Sequence, residues 1–259
     1  MNFWVTTLWP MPINSQTALI VGASRGIGLA LTQQLLTDSA TERVCATFRQ
    51  EDTAEDLLAI NDRRLEVVKV DITSANSLKA LAGELQALQH RPDVVINCAG
   101  ILHEGDLQPE KSLGQCREES LSRLFLVNSI GPLMLAKSTL PLMPRNRRCH
   151  FAVLSAMVGS IGDNRLGGWY GYRASKAALN QFMKTLAIEY RRSYPQLCVT
   201  AIHPGTTDSD LSRPFQANVK PGKLYTPAET ARRILGVLGD RQAEDSGEFV
   251  NWDGNHIPW

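Results

Sequence analysis

Short apolar runs alternate along the chain with longer segments of helical hydrophobic spacing. Seven of these runs are suited to buried β-strands: Thr17–Val21, Val44–Phe48, Leu65–Val70, Val94–Asn97, His150–Ser155, Leu197–His203 and Glu248–Asn251. Helical patterns lie between most of them, and this alternation is typical of a parallel sheet covered by helices on both faces. The pattern therefore predicts an α/β fold whose ligands bind at the carboxyl ends of the strands.

Length and composition predict one domain. The chain has 259 residues, of which 43% are hydrophobic, and this is enough to bury one sizeable core. We assign residues 15–259 to that domain. The apolar opening, residues 1–14, has neither the basic segment nor the cleavage site of a signal peptide, so we expect an irregular lead-in. The chain has no continuous apolar run of about 18 residues, so a transmembrane helix is not expected.

The charge balance and the cysteine spacing indicate which kinds of ligand and partner to expect. Basic and acidic side chains number 27 and 26, a formal charge of +1, and no basic block is typical of binding to nucleic acid or to an anionic membrane. A small molecule is therefore the expected partner. The five cysteines are widely spaced, as expected of reduced thiols in a cytoplasmic protein, and no cysteine or histidine pair has metal-ligand spacing.

A glycine-rich turn directly follows the first predicted strand. Gly22, Gly26 and Gly28 precede a helix-like stretch, so strand, turn and helix form the first half of a βαβ unit. Glycines let the backbone approach a pyrophosphate, and the helix N-terminus supplies N–H groups and a partial positive charge. Three residues rather than one separate the first two glycines, which departs from the common dinucleotide-binding spacing. A glycine turn without a ligand is the alternative interpretation.

A tyrosine and a lysine four residues apart indicate proton chemistry. Tyr172 and Lys176 share one face of a predicted helix, so the Lys176 ammonium is expected to lower the pKa of the Tyr172 phenol. Such a phenol can exchange a proton with a carbonyl or alcohol oxygen. Ser155, at the end of the fifth predicted strand, is a second candidate hydroxyl donor. Tyr170 lies off that helical face and is the weaker candidate for the acid.

Six sequence elements occur in an order that is similar to one enzyme family. They are Gly22-xxx-Gly26-x-Gly28, Asn97-Cys98-Ala99-Gly100, Asn128, Ser155, Tyr172-xxx-Lys176 and Pro204-Gly205. Together they resemble the classical short-chain dehydrogenase/reductases over about residues 15–255. Asn251-Trp252-Asp253-Gly254 and the run around Tyr172 are similar to the C-factor-like branch of that family. The resemblance implies a single Rossmann-type, doubly wound sheet of seven parallel strands.

The resemblance also implies a catalytic set of Asn128, Ser155, Tyr172 and Lys176. In such a set Ser155 and Tyr172 donate hydrogen bonds to the substrate oxygen, and Tyr172 gives it a proton. Lys176 holds the nicotinamide ribose, and a water held by Asn128 passes protons to Lys176. From the residues alone, Pro132 has no N–H for the Asn128 carbonyl in the predicted helix Glu118–Leu142, so we expect a kink there. A kink with a purely structural role is the alternative.

NADP(H) is favoured over NAD(H) as the cofactor. An NAD enzyme would place a carboxylate at the end of the second strand, where this chain has Phe48. Arg49 and Arg25 are candidates to bind a ribose 2′-phosphate, unless they are ordinary surface charges. Asp71 either contacts adenine, as the resemblance implies, or caps the helix that begins near Ser74. The predicted cofactor-binding residues are Gly22, Ser24, Arg25, Gly26, Ile27, Gly28, Arg49, Asp71, Ile72, Asn97, Ala99, Gly100, Tyr172, Lys176, Pro204, Gly205 and Thr206.

The predicted substrate side consists of loops. The segment Gly205–Thr226 is a candidate lid, and Met157, Trp169 and Tyr170 either line the pocket or pack beneath it. The expected reaction is the reduction of an aldehyde, ketone or quinone with NADPH. A C-factor-like signalling or regulatory protein that senses the nucleotide is the alternative function. In the resembled family the helices that bear the catalytic residues often form subunit contacts, so we expect a homodimer or homotetramer.

Overall fold

The structure is a computed structural model that describes residues 17–259, and the predicted lead-in at residues 1–14 lies outside the described residues. Within the described part, seven strands form one sheet in which every neighbouring pair is parallel. The strands are β1 (Thr17–Val21), β2 (Arg43–Phe48), β3 (Leu65–Lys69), β4 (Val94–Asn97), β5 (Cys149–Leu154), β6 (Leu197–His203) and β7 (Glu248–Asn251). Their order is β3-β2-β1-β4-β5-β6-β7, so the winding reverses between β1 and β4. The predicted single-domain, doubly wound α/β fold of Rossmann type is confirmed.

Helices connect the strands and cover both faces of the sheet. The α-helices of residues 17–259 are α1 (Gly26–Thr37), α2 (Glu55–Leu58), α3 (Ala75–Ala87), α4 (Glu118–Phe125), α5 (Gly131–Thr139), α6 (Tyr170–Tyr190) and α7 (Pro227–Asp240). Side-chain caps fix two of their starts: Ser74 caps α3, and Thr226 forms a reciprocal capping box with Glu229 at α7. None of these helices combines the length and the apolar character needed to cross a bilayer.

Alternating side chains of the strands enter two hydrophobic layers, one on each face of the sheet. In β1, Leu19 and Val21 belong to one layer and Ala18 and Ile20 to the other, as the two-residue period of a strand requires. Helices α3, α5 and α6 complete the first layer, and α1 and α7 complete the second. Because both faces of the sheet are buried, its accessible chemistry lies at the strand ends.

The predicted long helix is interrupted near its middle, as the proline indicated. The interruption takes the form of a π-helical turn, Leu126–Ile130, between α4 and α5. The Gly131 N–H donates to the Leu126 carbonyl, five residues back, and Pro132 has no N–H to give to the Asn128 carbonyl. Single π-helical turns of this kind often lie at functional sites.

The predicted strand bounds differ from the structure by one residue at most. The structure ends β3 and β5 one residue before Val70 and Ser155, which the apolar runs include. Both residues still donate one ladder hydrogen bond of 2.7 Å, Val70 to the Phe48 carbonyl and Ser155 to the Ile202 carbonyl. Ser155 is therefore fixed by the sheet while its side chain leaves the strand end.

Candidate active site

A cleft of about 1170 Å³ lies at the carboxyl edge of the sheet and contains three of the four predicted catalytic side chains. Ser155 enters it directly after β5, and Tyr172 and Lys176 enter it from the first two turns of α6. All three are buried, with 4%, 7% and 4% of their surfaces exposed. Asn128 is fully buried and lies behind the cleft lining. The fold thus brings to one place three groups that the chain spreads over 22 residues.

A main-chain carbonyl holds the Lys176 ammonium. Its Nζ donates to the Leu154 carbonyl oxygen at 2.8 Å and lies 5.8 Å from the centroid of the Tyr172 ring. Burial lowers the pKa of Lys176 to about 8. Gly100 passes close by, since a Cβ added there would lie 3.4 Å from this Nζ. The amine therefore lies in the cleft and titrates close to physiological pH.

The pKa of Tyr172 moves in the direction opposite to the predicted one. The sequence analysis expected the neighbouring ammonium to lower it, but burial raises the pKa of the Tyr172 phenol above its ordinary value. The ammonium of Lys176 donates to the Leu154 carbonyl, and the removal of the phenol from water dominates. The phenol is therefore protonated at neutral pH, and this is the form that can give a proton to a carbonyl oxygen.

The side chain of Asn128 holds three segments of the site together. Its amide exchanges two hydrogen bonds of 2.8 Å with the main chain of Ile101 and donates a third, of 3.1 Å, to Ser175 Oγ. Ser129 Oγ adds a bond of 2.8 Å to the Ser175 carbonyl. These contacts join the π-helical turn, the loop after β4 and α6. The side chain of Asn128 thus has a structural role, and its main-chain carbonyl is the one to which Pro132, four residues later, has no N–H to donate.

The backbone of the glycine turn requires its glycines, through positive φ angles at two positions and close contacts at two. Gly22 and Gly26 have φ angles of +79° and +56°, in the left-handed region that favours glycine. A Cβ added at Gly22 would lie 2.8 Å from the Ala99 nitrogen, and one added at Gly28 would overlap the Gly22 carbonyl oxygen. Within the described residues, α1 begins without a side-chain cap, so the N–H groups of its first turn are available to a ligand. These features fit a pyrophosphate held at the N-terminus of α1.

Both predicted 2′-phosphate ligands line the cleft, and each is paired with a carboxylate. Arg49 Nη2 lies 2.9 Å from Glu104 Oε1, and Arg25 Nε lies 3.2 Å from Asp210 Oδ2. All four side chains are more than one third exposed, so these ion pairs are weak. A phosphate entering this end of the cleft would compete with two carboxylates for the same guanidinium groups.

Asp71 does not cap the helix that follows it, so that alternative is wrong. The N-cap of α3 is Ser74, whose hydroxyl accepts the N–H of Ser77. Asp71 Oδ1 instead accepts the N–H and the hydroxyl of Thr73, at 2.8 and 2.7 Å. Asp71 also lines the cleft.

The remaining predicted cofactor-binding residues line the same cleft, with one exception. Those in the lining are Gly22, Ser24, Gly26, Ile27, Gly28, Ile72, Ala99, Gly100, Pro204, Gly205 and Thr206. The exception is Asn97, which is buried behind the lining. Its Nδ2 donates to the Ala99 carbonyl at 3.3 Å and so shapes the turn after β4.

Aromatic side chains form a wall of the cleft beside Tyr172. The ring of Phe215 lies 5.0 Å from that of Trp169 and 6.1 Å from that of His103, and Trp169 meets the Tyr172 ring edge-on at 6.2 Å. Trp169 has a left-handed backbone conformation, φ 51° and ψ 42°, at the start of α6. Phe215 belongs to the predicted lid segment, which therefore contributes directly to the lining.

The structure also decides which of three neighbouring residues line the cleft. Trp169 and Met157 belong to the lining. Tyr170 lies outside it and is 44% exposed, because it occupies the outward side of the first turn of α6. The geometry therefore supports Tyr172 rather than Tyr170 as the acid.

The sequence analysis missed three polar residues of this region. Glu104 and Glu110 come from the loop after β4, where they pair with Arg49 and with the first turn of α6. No local pattern marks either of them. Asn180, which accepts a hydrogen bond from Ser155, does have a signal, because it lies four residues after Lys176 on α6.

Comparison with known proteins assigns the family. A family model described as short chain dehydrogenase matches residues 16–220. The chain belongs to the short-chain dehydrogenase/reductase family. It is therefore an oxidoreductase whose fold binds a nicotinamide cofactor and which acts on a small molecule.

Individual relatives of this chain include a carbonyl reductase, a dehydrogenase and a protein named C-signal. The crystal structure of NADPH-bound carbonyl reductase from chicken fatty liver has a TM-score of 0.84 and 29% identity, with 97% of each chain covered. The 1-hydroxy-2-glutathionyl-2-methyl-3-butene dehydrogenase of Rhodococcus sp. is 29% identical over 245 residues, 94% of this chain and 99% of that protein. The C-signal protein of Myxococcus xanthus is 30% identical over 168 residues, 64% of this chain and 92% of that protein.

Proposed function

We propose that the protein is an NADP(H)-dependent carbonyl reductase that reduces an aldehyde, a ketone or a quinone. The observation that carries the proposal is the convergence of Ser155, Tyr172 and Lys176 in the cleft bordered by the glycine turn. The similarity to an NADPH-bound carbonyl reductase supports it. The buried Tyr172 phenol keeps its proton at neutral pH, and this is the form that the reduction of a carbonyl requires.

Ser155, Tyr172, Lys176 and Asn128 each have a distinct role in this proposal. When bound, the cofactor supplies the hydride that the carbonyl carbon receives. Ser155 and Tyr172 donate hydrogen bonds to the carbonyl oxygen, where negative charge grows. Tyr172 then gives that oxygen its proton, so one C–H and one O–H bond replace the carbonyl π bond. Lys176 holds the cofactor ribose, and a water on the Asn128 carbonyl returns a proton through Lys176.

The proposed function is tested by following NADPH oxidation with a panel of aldehydes, ketones and quinones. We expect turnover with at least one of these classes. Tight NADPH binding without turnover on any of them would instead favour a nucleotide-sensing regulatory protein, which the similarity to the C-signal protein of Myxococcus xanthus brings into consideration. The intact Ser155, Tyr172 and Lys176 set argues for the enzyme. The cytoplasmic location and the homodimer or homotetramer stay predictions from the sequence.

Removing both arginines of the cleft lining is expected to weaken NADPH binding selectively. In the proposal Arg25 and Arg49 make charge-assisted hydrogen bonds to the 2′-phosphate, so Arg25→Ala with Arg49→Ala raises the NADPH Kd by about 10- to 100-fold. NADH lacks that phosphate, and its Kd is expected to change by less than about threefold. Fluorescence titration measures both constants, with Arg63→Ala as a control at an exposed arginine outside the lining. Equal losses for the two nucleotides would contradict the assignment.

The reductase activity is expected to fall as the pH rises through about 8. Lys176, with a pKa of about 8, is charged below that pH and neutral above it. Because the ammonium is the proposed ligand of the cofactor ribose, kcat/KM for NADPH should fall about tenfold per pH unit above this value. Tyr172 has a raised pKa, so its own titration lies at higher pH.

The variant Lys176→Arg separates this titration from other causes. Its guanidinium stays charged throughout the range, so the remaining activity should show no decline near pH 8. An unchanged decline in this variant would mean that another group titrates there.

A further inference from the structure

A buried asparagine lies in line with the two catalytic residues of α6. Asn180 follows Lys176 by one helical turn and Tyr172 by two, and only 2% of its surface is exposed. Residues four apart are neighbours along a helix, so Tyr172, Lys176 and Asn180 lie in one row on α6. Asn180 is the member of this row that contacts Ser155. The Ser155 Oγ and the Asn180 Oδ1 lie 2.6 Å apart.

The other end of this amide is unsatisfied. The Asn180 Nδ2 is buried and has no hydrogen-bond partner among the described residues. A buried amide group without a partner lowers stability, and such groups recur where a protein needs a polar group for function. The Asn180 amide therefore contacts the Ser155 hydroxyl through Oδ1, while its Nδ2 is a hydrogen-bond donor without an acceptor among the described residues.

The orientation of this amide controls what the serine hydroxyl can do. Ser155 has one hydroxyl proton, and in this contact the hydroxyl donates it in a hydrogen bond to Asn180 Oδ1. A hydroxyl in this state has only lone pairs to offer to a substrate. A half turn of the amide places Nδ2 against the Ser155 Oγ, so that the amide donates and the serine proton becomes free. The two ends of the amide have nearly the same size, so the pocket can accept both.

We propose that Asn180 is a positioning residue whose amide, by donating to Ser155 Oγ, directs the serine proton toward the substrate carbonyl. The inference rests on the proposed carbonyl reduction, in which Ser155 donates to the oxygen that gains negative charge. Asn180 itself touches neither the substrate nor the cofactor, since it lies outside the cleft lining. Its effect on turnover passes entirely through Ser155.

A double-mutant cycle tests this dependence. Asn180→Ala should lower kcat by roughly tenfold, the effect of one hydrogen bond, and leave the NADPH Kd within about twofold of the wild type. The same substitution in a Ser155→Ala background should cause no further loss, because the group through which it acts is already gone. Gln181→Ala, at the exposed next residue of α6, is the matched control and should leave kcat unchanged.

Asn180→Asp provides a second, nearly isosteric variant. An ionised carboxylate only accepts hydrogen bonds, so the Ser155 hydroxyl would donate to it and not to the substrate. We therefore expect kcat to fall by about 100-fold. In the Ser155→Ala background this substitution should cause no further change, so the double variant should have the same kcat as Ser155→Ala alone. That pattern does not follow from a general loss of packing.

The outcomes separate the inference from the proposed function. An active wild type in which the Asn180 and Ser155 losses multiply, or in which both Asn180 variants keep full kcat, overturns the positioning role and leaves the carbonyl reductase standing. A wild type that binds NADPH but reduces no carbonyl overturns the proposed function and this inference together.

Discussion

The variant Tyr172→Phe is expected to lower kcat for carbonyl reduction by about 10³-fold, within the range that a positioned general acid contributes. Tyr172 is buried, and the change keeps its ring and removes only the hydroxyl, so the fold should be retained. Lys176 and the glycine turn are unchanged, and the NADPH Kd should stay within about twofold of the wild-type value. Single-turnover kinetics and fluorescence titration measure the two effects separately.

The control for this prediction lies two residues earlier on the same helix. Tyr170 is 44% exposed and lies outside the cleft lining, so Tyr170→Phe should have wild-type kcat. Near-normal turnover in Tyr172→Phe would remove the proposed acid. A parallel loss in Tyr170→Phe would show that the effect comes from the helix rather than from the phenol.

The variant Gly28→Ala is expected to lower the free energy of unfolding by about 3 kcal/mol and to weaken NADPH binding by at least about 100-fold. The new Cβ would overlap the Gly22 carbonyl oxygen and lie 2.9 Å from the Ala23 Cα. Both neighbours are main-chain atoms of the turn, so relief of the clash must move the backbone that borders the cofactor cleft. Urea denaturation and NADPH titration measure the two losses.

A second glycine isolates the cause of this effect. Gly83 lies on the exposed side of α3, and a Cβ added there has no described atom within 4 Å. Because alanine is the better helix former, Gly83→Ala should raise the free energy of unfolding by about 0.5–1 kcal/mol. If Gly28→Ala also raised the free energy of unfolding, the close contact between Gly28 and the main chain of the turn would not be the reason for a glycine at this position.

The sheet was predictable because its signal is local. Strands such as Thr17–Val21 consist mainly of buried apolar residues and helices separate them, so a parallel sheet covered on both faces could be predicted from the chain, while its seven-stranded, doubly wound form was implied by the family resemblance. The interruption at Asn128 was predictable for a similar reason, since a proline removes one N–H wherever it occurs in a helix. The positions of the glycine turn, Tyr172 and Lys176 could also be predicted, because the spacing of these residues along the chain indicates them.

The electrostatics of the site were not predictable in this way. The spacing of Tyr172 and Lys176 suggested a lowered phenol pKa, but it did not reveal that the Leu154 carbonyl would take the ammonium or how fully the phenol would be buried. The pairing of Arg49 with Glu104 joins residues that are 55 positions apart, and only the folded loop brings them together. Long-range contacts of this kind are set by tertiary packing and leave no local pattern.

In the proposed reaction NADPH bound in the cleft supplies a hydride to a carbonyl carbon while Tyr172 protonates the oxygen. Isotope transfer tests it most directly: NADPH deuterated at both C4 positions is incubated with the protein and a panel of aldehydes and ketones, and the products are analysed by mass spectrometry. We predict one deuterium on the carbinol carbon of the alcohol for each NADPH consumed by the wild type, and almost no product from Tyr172→Phe. NADPH that binds yet transfers no deuterium to any carbonyl would contradict the account.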